Sequence, residues 1–184
     1  IAAKGSPERI LTISELSEKD REIVGHKIVE LSREGLRVIA VATAEPASEQ
    51  EIPSSITECR LNLCGLIGLA DPPRESVQSD IEQCRKAGIR VVMITGDNGI
   101  TASSIARKIG MEHSDNIITG DMLNEMTDEE LRDAVKKVSI FSRVVPEHKM
   151  RIVKAFKDNG EIVAMTGDGV NDAPALKYAD IGIA

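Results

Sequence analysis

Two carboxylates and a carboxamide crowd into Thr166-Gly167-Asp168-Gly169-Val170-Asn171-Asp172, directly after the apolar run Glu161–Met165. Oxygen donors at that density suit a hard cation such as Mg²⁺, and the glycines let backbone come close to a phosphate and adopt positive φ. A bare Gly-Asp-Gly is more often a tight turn whose Asp satisfies backbone amides; Asn171 and Asp172 tip the reading towards a site. Thr95-Gly96-Asp97-Asn98 repeats the design, again between an apolar run (Arg90–Ile94) and a helical pattern. Its hydroxyl and backbone N–H groups could hold an anion, although for the tetrapeptide alone an Asx turn is the commoner explanation. Lys149, just after Pro146, can reach a phosphate or neutralise a carboxylate cluster; alone it would be a solvated lysine. No P-loop pattern and no serine-hydrolase elbow occurs. His148 and His113 lack partners at ligand spacing and read as surface residues; His26 falls on a polar helix face.

These loops need a scaffold that brings strand ends together, and the pattern supplies one. Ser17 caps a helix running to about Leu31, which Gly35 stops. Arg37–Ala42 and Leu61–Leu69 are strand patterns, with the polar, proline-bearing stretch 45–55 (Pro46, Pro53) between them. From Arg74 onward helices and strands alternate. A helix spans about Glu75–Ala87 and stops at Gly88, Arg90–Ile94 is a strand buried on both faces, and a helix covers Thr101–Ile109. Thr127 and Glu130 form a capping box, Ser139–Ser142 is a strand, and Pro146 suits a helix first turn. Glu161–Met165 is a strand, Pro174–Tyr178 a helical turn, and Asp180–Ala184 a last strand. The expected fold is α/β: a parallel sheet covered on both faces, with ligands at the carboxyl ends of its strands. Both loops would then meet in space.

Composition narrows the partners. A formal charge of −7 and the absence of a basic, aromatic-studded stripe argue against nucleic acid. With no Trp, one Tyr and two Phe, any core must be aliphatic. Cys59, Cys64 and Cys84 show no metal spacing and read as reduced thiols. The longest apolar run, Leu63–Ala70, is too short to span a bilayer. With no initiator Met, the sequence reads as a fragment of a longer protein.

Met165–Ala184 (MTGDGVNDAPALKYADIGIA) resembles the hinge motif of the P-type cation-transporting ATPases almost letter for letter. Further matches follow in the family's order across nearly the whole chain. Lys4-Gly5-Ser6-Pro7-Glu8 resembles K-G-A-P-E, Arg37 stands at the arginine of R-V-x-A-x-A, and Asp71-Pro72-Pro73-Arg74 resembles D-P-P-R. Ile94–Asn98 resembles I-T-G-D-N, and Phe141–Val144 with Pro146 and Lys149 resembles F-A-R-V-x-P-x-x-K. Ser6 and Ser142 replace the usual alanines. The style is that of type II, Ca²⁺-ATPase-like pumps. The resemblance implies a haloacid-dehalogenase-like Rossmannoid sheet, with residues 1–55 a remnant of the nucleotide-binding domain and 56–184 part of the phosphorylation domain. It implies Mg²⁺ and ATP as cofactors, Asp168 and Asp172 as metal residues, and Asn171 with Asp172 fixing the attacking geometry. Thr95, Gly96 and Asp97 would face the transferred phosphoryl group, Lys149 would stabilise its charge, and Lys4, Arg37, Arg74 and Arg143 would bind nucleotide. The parent would be a membrane protein carrying a cation, Ca²⁺ by family style, on whose cytoplasmic side this soluble piece belongs.

The family's nucleophile lies in D-K-T-G-T on the central strand, and no D-K-T-G occurs in these 184 residues. Neither does the D-x-D of the related phosphatases, which disfavours a soluble phosphatase. The expectation is therefore a chain inactive by itself. A non-catalytic module binding nucleotide, Mg²⁺ or a partner stays open as an alternative. A sheet without its central strand has two open edges, which the N-terminal segment or a strand-exchanged dimer is expected to fill.

Overall fold

Ser17 accepts a hydrogen bond from the Asp20 amide and opens a helix over Glu18–Arg33, which Gly35 ends at φ 86°. The computed structural model describes residues 1–45, 53–167 and 169–183. Pro46 and the middle of the 45–55 stretch, Asp168 and Ala184 lie outside the described residues.

The chain divides into two compact units, Ile1–Pro72 and Pro73–Ala184. In the first, β1 (Ala2–Gly5), β2 (Arg37–Thr43) and β3 (Asn62–Leu69) form an antiparallel sheet in the order β1-β2-β3. Helices α1 (Pro7–Thr12) and α2 (Glu18–Arg33) accompany it. Ala40 and Ala42 of β2 turn inward and pack with Ile10, Cys59 and Leu61. Small residues there let α1 approach the sheet. Because β3 pairs with β2 along its length, the units part at Pro72 and Pro73, not within 45–55. Two consecutive prolines, each lacking an N–H, cannot continue the ladder.

The second unit is wound from parallel strands, as the alternation predicts. It comprises α3 (Val77–Lys86), β4 (Met93–Ile94), α4 (Gly99–Lys108), β5 (Ile117–Thr119), α5 (Gly120–Glu125), α6 (Asp128–Ala134), β6 (Ile140–Ser142), α7 (Pro146–Asp158), β7 (Ala164–Thr166), α8 (Ala173–Tyr178) and β8 (Ile181–Ile183). Strand β6 is the middle of a parallel sheet ordered β4-β6-β5, and β7 pairs with β8 in parallel. Ala102 and Ala106 of α4, and Ile109 just after it, pack with Ile140 on one face. Phe141 faces the other side, where Leu123, Leu131, Val135 and Ile152 surround it. That fully buried ring contributes roughly 2–3 kcal/mol through burial alone. Element β1, α1, β5 and α5 had no counterpart in the sequence reading, because each is too short for periodicity to show.

Two strands are shorter than their apolar runs, each for a local reason. Arg90 donates from its guanidinium to the carbonyls of Lys136 and Val138 and lies over the Phe156 ring at 5.6 Å, so the β4 ladder starts only at Met93 N–H to Ser139 O, 2.8 Å. The Val163 amide is taken by Asp180 Oδ2 at 2.9 Å, so β7 starts at Ala164.

Among the described residues no strand pairs with the outer edge of β4 or of β7. The two edges are linked by packing, Ile94 resting against the cluster of Met165, Val153 and Ala175. The expectation that the N-terminal segment fills this gap is overturned, because Ala2–Gly5 pairs antiparallel with β2. A filling strand would be apolar on both faces, whereas β1 alternates and exposes Lys4. No helix among the described residues is long and apolar enough to cross a membrane.

Two measurements test this account. Ser142 Oγ is buried without a hydrogen-bond partner, alone in this among the described residues. Ser142→Ala is expected to raise stability by about 1 kcal/mol in urea unfolding; a loss of that size would reveal a partner. The Val163 amide and Lys157 hold the Asp180 carboxyl below its ordinary value of 3.8. Its stabilising contribution is therefore present above that pH and lost as pH falls through the lowered folded value. Melting temperature measured against pH should fall less steeply on the acid side in Asp180→Asn than in wild type.

Candidate functional site

Parallel strands with right-handed crossovers place every strand-to-helix loop at one end of the sheet. At that end of β7, Gly167 N–H donates to Ile183 O (3.2 Å), and a short 3-10 turn, Val170–Asp172, leads into α8. Asp172 is 6% exposed and folds back over Gly167. A Cβ at Gly167 would lie 2.7 Å from Asp172 Cβ and 2.8 Å from its Oδ2, so only glycine lets the carboxylate occupy that place. Lys149, in the first turn of α7, donates to Asp172 Oδ1 in a short hydrogen bond. The side chains are 19% and 9% exposed, so this ion pair is mostly withdrawn from water. The pairs Lys27–Glu30, Arg107–Asp115, Arg151–Asp128 and Lys157–Asp180 each have both partners more than a quarter exposed, as surface pairs do. Asn171 is exposed on the same turn.

The Thr95–Asn98 loop follows β4. Thr95 Oγ1 accepts from the Asp97 amide (3.1 Å), and Asn98 Oδ1 accepts from Ile100 N (2.8 Å), capping α4. Thr95 and Asp97 are half-buried and Gly96 is exposed. The loop is bonded to the end of β6: Arg143 N–H donates to Asp97 O and Val144 N–H to Thr95 O, both 3.1 Å. Arg143 adopts φ 55°, a left-handed conformation that a non-glycine residue takes at some cost.

The structure thus brings Lys149 and Asp172 into contact, and joins Thr95, Asp97 and Arg143 through backbone bonds at the same end of the second unit. Arg74 is exposed ahead of α3. Lys4 and Arg37 belong to the first unit, exposed on strands β1 and β2; Lys4 stands opposite Val41, whose side of the sheet Arg37 shares. Asp168, expected as a metal residue, lies outside the described residues.

The expectation for His148 was wrong. His148 is 6% exposed, not a surface residue. Its Nδ1 accepts from Val145 N–H at 3.4 Å, and Nε2, which must then carry the proton, donates to Asn124 Oδ1 at 2.8 Å. Its position was a usable signal: it is the third helical residue, whose side chain can reach back to the N-cap amide.

The donors are all hard oxygens, which fits Mg²⁺. No group of three His, Cys, Asp or Glu side chains gathers among the described residues. An ion would then be held as Mg²⁺ usually is, by one or two carboxylates and by phosphate oxygens.

Residues 8–180 match the family model of the haloacid dehalogenase-like hydrolases. The chain is 52% identical over 155 residues to a calcium-transporting ATPase of Bacillus subtilis, an alignment covering 83% of this chain and 17% of that protein. It is 39% identical over 209 aligned positions to the endoplasmic reticulum calcium ATPase srcA of Aspergillus fumigatus, covering 100% of this chain and 22% of that protein. Calcium-transporting ATPase 1 of Schizosaccharomyces pombe is 44% identical over 178 residues, covering 92% and 19%. The chain therefore spans about a fifth of the length of these relatives.

The ion pair makes a test of the site. Lys149→Met leaves Asp172 buried and unpaired and is expected to cost about 3 kcal/mol. Adding Asp172→Leu should recover most of that loss in urea unfolding. A double variant no more stable than Lys149→Met would mean the carboxylate is held by something other than Lys149.

Proposed function

This chain belongs to the haloacid dehalogenase-like hydrolase family, and we propose that it is part of the cytoplasmic catalytic region of an ATP-driven calcium pump. The observation that carries the reading is the withdrawn Lys149–Asp172 pair at the carboxyl end of β7, in the unit that also presents the Thr95–Asp97 loop. That the relatives are calcium-transporting ATPases supports Ca²⁺ as the ion carried by the whole pump. Ion passage would belong to parts of that pump beyond these residues. The first unit is then a remnant of a nucleotide-binding domain, with Lys4 and Arg37 on its exposed sheet face meeting ATP. The second is part of a phosphorylation domain, with Arg74 and Arg143 contributing to nucleotide binding.

Phosphoryl transfer is catalysed mainly by positioning and by neutralising charge on the transferred group. Thr95 Oγ1 and the loop amides would orient the phosphoryl oxygens. Lys149 would balance their negative charge, held ready by Asp172 so that its side chain need not be ordered during the reaction. Asp168 and Asp172 would hold Mg²⁺, which supplies further charge neutralisation when bound, and Asn171 would steady the turn. No residue here stands in a D-K-T-G, so these 184 residues by themselves would not form an aspartyl phosphate. The open edges of β4 and β7 are where a further strand, from a longer chain or an exchanged second copy, would complete the sheet.

Titration calorimetry of Mg²⁺ with beryllium fluoride, a phosphoryl mimic, tests the reading. Binding by wild type that Asp168→Asn abolishes is the expected result. Equal binding by both proteins would overturn the metal assignment, and an acid-stable phosphoenzyme formed from ATP by this chain would overturn the predicted inactivity.

A further inference from the structure

Lys149 can serve the site only if the first turn of α7 stays in register, and that turn has weak means of its own. Val145 at the N-cap offers no side-chain cap, and Pro146 contributes no N–H. His148, the neighbour of Lys149, supplies what is missing. From one imidazole it caps the Val145 amide and ties the turn to Asn124 of α5, using both ring nitrogens.

A second contact converges on the same segment. Gly120, the first residue of α5, has no room for a side chain: a Cβ there would stand 2.1 Å from Arg143 O and 3.4 Å from His148 Cε1. The obstructing atom is backbone, so it cannot swing aside. The crossover from β6 to α7 is therefore clamped between α5 and the Thr95–Asp97 loop, to which Arg143 and Val144 are bonded. Two residues beyond Lys149, Arg151 donates to Leu123 O (2.6 Å) and Met126 O (2.8 Å), fixing the next turn to the end of α5.

We propose that His148, acting with Asn124 and Gly120, is the positioning residue for Lys149: the imidazole and the close backbone approach set the first turn of α7 so that the ammonium meets Asp172. This deepens the functional reading above and rests on it for the role of Lys149. The placement of Lys149 can nonetheless be measured without nucleotide, Mg²⁺ or phosphate. The sequence motif points to Lys149 itself, whereas Asn124 and Gly120 are identified only by what they touch.

Trace acetylation with acetic anhydride, read lysine by lysine by mass spectrometry on the whole chain, is the experiment. In wild type, Lys149 is expected to react slowly because its ammonium is withdrawn and paired. His148→Ala is expected to raise its rate about tenfold, the effect of losing one net hydrogen bond's restraint. Lys154 and Lys157, further along α7, should keep their wild-type rates. His148→Gln, which retains an acceptor and a donor, should restore much of the protection, and Asp172→Asn marks the rate of a released Lys149. Gly120→Ala should act in the same direction as His148→Ala. An unchanged Lys149 rate in His148→Ala would overturn the proposal. So would a rise shared equally by Lys149, Lys154 and Lys157, since that is general loosening. Because the readout involves no ligand, failure of beryllium fluoride binding and failure of this positioning role are separate results.

Discussion

An ammonium and a carboxylate drawn largely out of water repay their desolvation only when their geometry is held, and the Lys149–Asp172 pair imposes that requirement on the second unit. One partner arrives on the first turn of a helix, the other on a 3-10 turn after a three-residue strand. Neither element is stiff alone. The pair forms because Gly167 admits the Asp172 side chain, Met165 and Ala175 pack against Val153 of α7, and His148 and Arg151 fasten α7 to α5.

The same constraint explains how polar groups are spread through this unit. The three-stranded sheet is covered on both faces by aliphatic clusters and one buried phenylalanine, a layering that needs no polar help. Hydrogen-bonding side chains are concentrated instead where helices meet crossovers: Arg90 at the amino end of β4, Asp180 between β7 and β8, Arg151 at the α5–α6 junction. Each satisfies backbone groups that would otherwise be left unpaired in a loop. Each also sets where a strand starts or how a helix sits.

Much of this was legible in the residues. The helix starts at Ser17, Thr127 and Pro146 and the stops at Gly35 and Gly88 carry local chemistry that acts wherever the chain goes. The parallel character of the second unit follows from alternation, since parallel strands need crossovers. Strand lengths were not legible, because apolar runs report burial while ladders also depend on which amides are already taken. The compact units part at Pro72 and Pro73, beyond the proline-bearing stretch, for a related reason. A proline-bearing stretch marks an interruption, but whether the following strand pairs backward or forward depends on partners distant in sequence.

By itself, the sequence determined which residues can do chemistry and the order in which the elements run: Thr95, Asp97, Lys149, Asn171 and Asp172 in glycine-punctuated loops after apolar runs. These are properties of residue type and near spacing, where local sterics and hydrogen bonding suffice. The tertiary structure alone decided that Lys149 pairs with Asp172, that β3 turns back onto β2, and that His148 is interior. It also decided that the first strand pairs with β2 and leaves the edges of β4 and β7 open. Such outcomes depend on contacts between segments far apart in the chain. Packing complementarity and desolvation select among those contacts, and no window of sequence contains both partners.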